Sequence, residues 1–370
     1  MGYAVELIVY EKTRGKIEMK RIVTRGMFLF CLAVVLAACS QENSGTTDTG
    51  KNTQNEQKTD TEKPSEAKVM KFGSINTSDR SITLAMNKFA EQVEKETNGQ
   101  IKVEVFPDSQ LGGERDNFEG LQLGSLQASI VSTAVSSAFS PDLSILDLPF
   151  LFKDNQAAYN VLDGEIGSKL LDQLSEQGVI GMNFWENGYR YLTNSVKEVK
   201  TPDDLKGLKI RTMESPIHLD MWTELGALPT PMAFPELFSA LQQGIIDGQE
   251  NPYVVTATNR FYEVQDYLTV TQHVYGANIF LISKEFWDEL SDDEKNIITI
   301  AGEEAKEYQR EVEQEQAEEF LALLKEKGMK ITELTSEEKQ LFIDKVQPIY
   351  EKYSKLIGEE LVNELLEAAK

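Results

Sequence analysis

Three kinds of patterning follow one another along the chain. Residues 27–36 (MFLFCLAVVL) form an unbroken apolar run. Residues 40–68 are polar throughout, with one Pro and one Ala. From Val69 onward apolar residues recur at the spacings of strands and helices. In that third stretch, residues 69–75 predict a strand. Residues 81–97 predict an amphipathic helix with Leu84, Phe89 and Val93 inward, ended by Asn98-Gly99. Residues 101–106 alternate as a strand should. A Gly-flanked helix at 114–123 and an apolar strand near Ile130-Val131 follow. Strand and helix alternating at this spacing predict an α/β architecture with a largely parallel sheet.

The alternation continues. Residues 154–177 read as two helices separated near Gly164, and 179–185 as a buried strand. Thr201-Pro202-Asp203-Asp204 opens a short helix that stops at Gly207. Residues 208–211 then read as a strand, 217–225 as a helix, and 237–243 as a helix closed by Gly244. Residues 247–252 read as a polar loop ended by Pro252, and 267–274 and 279–283 as strands. Ser291-Asp292-Asp293-Glu294 is a capping box. It opens a long helix, 292–327, with Ile297, Ala301, Ala305, Tyr308, Val312, Phe320 and Leu324 on one stripe and a dense row of Glu on the other face. That row reads as a solvated face. Thr335 opens a further helix, which Gly358 breaks from a last one.

The apolar run changes meaning beside its flanks. Lys20, Arg21 and Arg25 precede it, and Leu36-Ala37-Ala38-Cys39 closes it. A basic patch, about ten apolar residues and then small residues make a secretory signal, too short to span a bilayer. Residues 1–18 fit no part of such a signal, so translation is expected to start at Met19. The ending resembles a bacterial lipobox, in which the cysteine is lipidated and becomes the mature N-terminus. Residues 1–38 are therefore expected to be removed, and 39–68 to serve as lipid anchor and disordered tether. Its 29 residues beyond Cys39 reach roughly 30 Å as a flexible coil.

Charge narrows the function. The 370 residues carry 37 Lys+Arg and 61 Asp+Glu, a net charge of −24. Loss of residues 1–38 removes six basic and three acidic groups, which leaves −27. Nucleic-acid binding would need a basic face instead. With two His and two Cys in all, a zinc site is nearly excluded. An all-carboxylate Ca²⁺ or Mg²⁺ site stays open, but no Asp-x-Asp-x-Asp-Gly loop supports one. Neither metal nor cofactor is expected. No Gly-x-Ser-x-Gly elbow or Walker loop is present, and no nucleophile stands beside His218 or His273. What remains is a set of Arg, Asn and aromatic residues near strand ends: Asn183–Arg190, Arg211, and Asp247–Pro252. Arginine binds carboxylates in a planar, bidentate way. A strongly acidic protein repels anions at long range, so an anion site would need its cations gathered in a cleft.

Four segments carry a family resemblance: DDLKGLKIR at 203–211, LGALPTPMAF at 225–234, ALQQG with DGQENP at 240–252, and FYEVQ at 261–265. Together they resemble the DctP-type solute receptors of tripartite ATP-independent periplasmic (TRAP) transporters, over about residues 69–355. The resemblance implies a two-domain periplasmic-binding-protein-like α/β fold with an interdomain cleft and a long domain-spanning helix. The first domain would hold 69–188 with about 277–310, the second 189–276 with C-terminal helical segments, and 292–327 would span both. It implies Arg211 as the main carboxylate ligand, Arg190 and Asn251 as its helpers, and Phe234 as an apolar wall. Glu214, His273, Tyr275, Asn187 and Asn76 are further pocket candidates by position.

The implied partners are an organic-acid anion, either a sugar acid such as a uronate or a C4-dicarboxylate, and an ion-driven membrane permease. A lipid anchor at Cys39 would hold such a receptor at the outer face of the cell membrane. A ligand-sensing lipoprotein of the same fold is the alternative. A secreted carboxylate hydrolase is disfavoured by the missing nucleophile motifs.

Overall fold

The computed structural model describes residues 67–370. The signal at 1–38, the start at Met19, the lipidated Cys39 and the tether up to residue 66 lie outside the described residues. Lys68, expected at the end of the tether, belongs to the first strand, and its Nζ pairs with Glu294 at 2.7 Å.

The strands in chain order are β1 (Lys68–Gly73), β2 (Ile101–Phe106), β3 (Ala128–Ser132), β4 (Val179–Tyr189), β5 (Tyr191–Asn194), β6 (Lys209–Thr212), β7 (Leu228–Pro231), β8 (Gly248–Asn251), β9 (Tyr267–Val270), β10 (Tyr275–Ser283) and β11 (Lys330–Glu333). They form two sheets, ordered β2-β1-β3-β10-β4 and β11-β9-β5-β8-β6-β7. Each is the centre of one α/β lobe. Each is largely parallel with one strand reversed: four of five strands run one way in the first and five of six in the second. β10 runs antiparallel to both β3 and β4, and β5 runs antiparallel to both β8 and β9. The reason is the route of the chain: β4 leaves the first sheet for the second, and β10 brings the chain back in the opposite sense. At these crossings the Arg190 N–H donates to the Val274 carbonyl at 2.9 Å. Gly188 takes φ +100°, a conformation L side chains rarely adopt.

β8 replaces the loop expected at 247–252. Its sequence Gly-Gln-Glu-Asn is polar, yet every residue is buried between β5 and β6. β5, β7 and β11 were also invisible to patterning. Each has four residues, too few for alternation to register.

On one face of the first sheet the helix Ser81–Glu96 packs Ile82, Met86, Phe89 and Val93 inward, while Leu84 is only half-buried. Phe280 stacks on Phe72 at 4.9 Å and meets Phe89 edge-on at 5.1 Å. The long helix Asp292–Glu326 covers the same face, and its capping box forms: Ser291 N–H donates to Glu294 Oε2 at 2.7 Å and Glu294 N–H to Ser291 Oγ at 3.3 Å. Farther along, this helix packs on the helix Tyr253–Thr258 of the second lobe, so it spans both. Its buried stripe departs from expectation. Ile297, Tyr308 and Val312 are half-buried, whereas Lys306, Gln309, Arg310 and Glu313 are buried. There Gln309 and Arg310 hydrogen-bond the backbone of β4, Glu313 pairs with Arg80 and Ser81, and Lys306 pairs with Asp163. No helix among the described residues is long and apolar enough to cross a membrane.

Candidate functional site

In an open α/β sheet, ligands bind beyond the carboxyl ends of the parallel strands. β6, β7 and β8 run parallel, and their carboxyl ends carry Arg211 and Asn251 with Met213 and Phe234 just beyond. β1 and β3 run parallel, and their ends deliver Asn76 and Ser132. Asn278 of β10 pairs with Ser132 and Asn187 lies at the end of β4, so both join the same edge. The two edges face each other across a narrow cavity of about 390 Å³.

Three buried arginines line this cavity: Arg80, Arg190 and Arg211. Broader hollows on the outer surface, beside Glu304 and beside Lys169, hold at most one buried cation each. Arg190 donates from Nε to Glu250 Oε2 at 2.5 Å and from Nη2 to Glu250 Oε1 at 2.8 Å. Nη2 also reaches the Glu250 carbonyl at 2.7 Å and Asn251 Oδ1 at 3.1 Å. Its Nη1 is buried with no partner among the described residues. A buried cationic donor without an acceptor is costly, which makes it a docking point for an anion. Arg211 donates from Nε and Nη2 to one carbonyl, that of Met232, at 2.9 and 2.6 Å. That fixes the guanidinium plane and leaves Nη1 without a protein acceptor among the described residues. Burial pushes the Arg211 pKa down to about 10, with Arg190 adding to the fall and Glu250 and Glu114 opposing it, so it stays a cation at neutral pH. Arg80 donates to Asn76 Oδ1 at 2.8 Å, to Asn187 Oδ1 at 3.0 Å, and to both Glu313 oxygens at 3.0 Å.

Of the nine sequence-derived candidates, Arg211, Arg190, Asn251, Phe234, Asn187 and Asn76 line the cavity. The other three stand elsewhere. His273 lies behind Arg190: its Nε2 is 3.0 Å from Glu250 Oε2 and its Nδ1 is 2.7 Å from Thr271 Oγ1. Glu250 can only accept, so Nε2 carries the proton and Nδ1 accepts. Burial lowers the His273 pKa, against the pull of Glu250, and keeps the ring neutral. Burial alone would raise the Glu250 carboxyl, but the Arg190 charge and hydrogen bonds hold it well below the usual range. Tyr275 is buried among Phe152 and Tyr189. Glu214 lies outside the lining, 3.6 Å from the Nε of Arg115.

Seven lining residues escaped the sequence reading, and two of them are charged, Arg80 and Glu114. Arg80 stands at the N-cap position of the helix after β1 without a side-chain cap, and the turn at a strand's carboxyl end was the signal available. Glu114 follows Gly112-Gly113, a pair that lacks a phosphate-loop ending. It is the first residue of the helix Glu114–Gln122, and it accepts from Ser132 N–H at 2.6 Å and Ser132 Oγ at 3.0 Å. Burial raises its pKa, although Ser132 and the nearby Arg211 and Arg190 pull the other way. Among the described residues no group of three or more His, Cys, Asp or Glu could hold a metal ion.

The sequence profile of the family described as bacterial extracellular solute-binding protein, family 7 (DctP), matches residues 72–356. The C4-dicarboxylate-binding protein DctB of Bacillus subtilis is 36% identical over 82% of this chain and 87% of its own length. The sugar acid binding protein DctPAm of Advenella mimigardefordensis, solved in complex with galactonate, superposes with a TM-score of 0.81 at 41% identity, covering 82% of this chain and 98% of that one. A TRAP periplasmic solute-binding protein of Sulfurospirillum deleyianum with bound succinate gives 0.79 at 34% identity, covering 82% and 100%.

Proposed function

The chain belongs to family 7 of the bacterial extracellular solute-binding proteins, the DctP family, and from that premise we propose that it captures a small organic-acid anion between its lobes and delivers it to the membrane subunits of a TRAP transporter. Proteins of this family bind solutes for transporters and are not enzymes. The observation that carries the ligand class is the pair of guanidinium groups, Arg190 and Arg211, each with a terminal nitrogen lacking a protein acceptor beside one cavity. Arg211 takes the ligand carboxylate, Arg190 and Asn251 support it, and Phe234 walls the apolar side. The relatives with bound galactonate and succinate agree with a carboxylate as the shared feature. The lipobox at Cys39 and the polar segment after it support an anchored receptor at the outer face of the cell membrane, with the permease driven by an ion gradient.

The test is a thermal-unfolding screen against sugar acids, uronates and C4-dicarboxylates. A ligand that binds only the folded state stabilises it by about 4 kcal/mol at a thousandfold excess over Kd. Arg211→Ala should leave the fold intact and cost about 2–5 kcal/mol of binding, because the ligand carboxylate loses its partner in a desolvated site. Near-native affinity in that variant would refute the assignment.

A further inference from the structure

We propose that His218 is a positioning residue of the anion site, held as a cation between Asp147 of the first lobe and Glu250 of the second, so that Glu250 keeps Arg190 aimed at the cavity. This rests on the reading of the cavity as an organic-acid site and adds a residue that does not line it. His218 lies on the helix Pro216–Glu224, against β6 and β7, and that helix packs on the turn Pro141–Asp147 beside β10. The side chains of His218, Asp147 and Glu250 are fully buried. His218 Nε2 is 3.5 Å from Asp147 Oδ1, and its Nδ1 is 4.0 Å from Glu250 Oε1. These are ion-pair spacings, and neither nitrogen has a hydrogen-bond partner among the described residues.

The chain has two histidines, and they differ in what faces them. His273 meets a carboxylate on one side and the Thr271 hydroxyl, which can donate, on the other, so a single proton serves it. His218 meets a carboxylate on each side, and ionised carboxylates only accept. A neutral ring would turn a lone pair toward one of them, whereas imidazolium presents an N–H to both. Asp147 needs that charge. Among the described residues His218 is the one basic side chain within 4.0 Å of it, and Asp147 Oδ2 has no partner. Thr133 Oγ1, 3.4 Å from Asp147 Oδ1, also lies 3.2 Å from the Ala277 carbonyl oxygen, and it has one proton to give. Arg190 and the positive end of the helix oppose a charge on His218, but two carboxylates beside the ring outweigh them in low dielectric. Glu250 is then steadied at Oε1 by His218 and at Oε2 by His273 while both oxygens grip Arg190. The free Nη1 of Arg190 is left for the ligand. Without the His218 charge, Asp147 would be a buried and uncompensated carboxylate on the far side of Glu250, and the grip on Arg190 would loosen.

Nitrogen-resolved NMR of the ligand-free protein at neutral pH tests the charge. His273 is identified by its contact with the Trp222 indole, edge-on at 5.1 Å. His218 should show both ring nitrogens protonated, with similar shifts, and His273 one protonated and one bare. Calorimetric titration with galactonate, glucuronate and succinate tests the positioning. His218→Gln should weaken whichever of these binds by about tenfold or more. In an Arg190→Lys background the same substitution should change affinity by less than about twofold, because the group it acts through is already gone. A neutral His218 ring, an unchanged affinity in a folded His218→Gln, or an equal loss in both backgrounds overturns the inference while the organic-acid reading stands. If none of the three acids binds the unsubstituted protein, both fall.

Discussion

Glu186 shows how far a single side chain is shaped by its burial. Tyr159 donates its hydroxyl to this carboxylate, and Gln314 Nε2 donates to both its oxygens at 3.0 and 2.8 Å. Burial first, and the neighbouring Glu313 second, still raise its pKa from 4.5 to about 7. A carboxyl whose folded pKa is raised stabilises the fold fully below its unfolded value. It loses that contribution as pH rises through the folded value. The relevant window therefore runs from about 4.5 to about 7 and the full loss is on the order of 3 kcal/mol. Glu186→Gln should gain stability over the parent between pH 5 and pH 8, read as a growing gap in urea midpoint. Parallel pH profiles would show that Glu186 does not carry this term. At the same scale, Arg211 was singled out as a candidate in the sequence because it closes the DDLKGLKIR motif that carries the family resemblance. Arg80 and Glu114 were not, because nothing local separates them from surface charges.

At the scale of elements, β8 is the instructive case. Its polar residues occupy a central strand because the sheet supplies a partner for each. Glu250 has Arg190, Gln249 Nε2 donates to Thr193 Oγ1 at 2.8 Å, and Asn251 Nδ2 donates to Gln249 Oε1 at 2.5 Å. Gly248 is there because β5 passes so close that an added Cβ would lie 2.3 Å from the Thr193 carbonyl oxygen. A backbone atom in a paired strand cannot yield cheaply. Gly248→Ala should therefore cost about 2 kcal/mol or more by overpacking, measured as a lowered unfolding midpoint. A cost near zero would mean that β5 and β8 separate readily. The long helix teaches the converse. Its start was legible from the capping box, but its buried face was not, because Lys306, Gln309, Arg310 and Glu313 are buried by the lobes they touch and not by their own polarity.

For the whole molecule, the question is what holds the lobes together over the cavity. Between the lobes, Arg115 of the first and Glu214 of the second stand 3.6 Å apart with 40% and 33% of their side-chain surface exposed. Gly113 lies against Ala233 and Pro235 of the opposite lobe, near enough that an added Cβ would sit 3.8 and 3.7 Å from them. An exposed ion pair contributes roughly 0.2–1 kcal/mol and is screened by salt. Arg115→Ala or Glu214→Ala should thus speed ligand release by at most about fivefold, with the difference fading in high salt. Stopped-flow release measured at two ionic strengths checks this. A hundredfold change would mean that Glu214 touches the ligand itself.

The sequence alone determined the class of each long segment, since strong periodicity and terminal signals act over neighbouring residues. It also carried the family, through four motifs in fixed order, and with it the expectation that Arg190, Arg211 and Asn251 meet the ligand. The tertiary structure decided what depends on residues far apart in the chain. It reversed β10 within the first sheet, and it buried β8 and the middle of the long helix despite their polarity. It also set Arg80 and Glu114 beside Arg190 and Arg211. Desolvation and charge pairing act through space, and a residue's partners there are fixed only when the two sheets face each other.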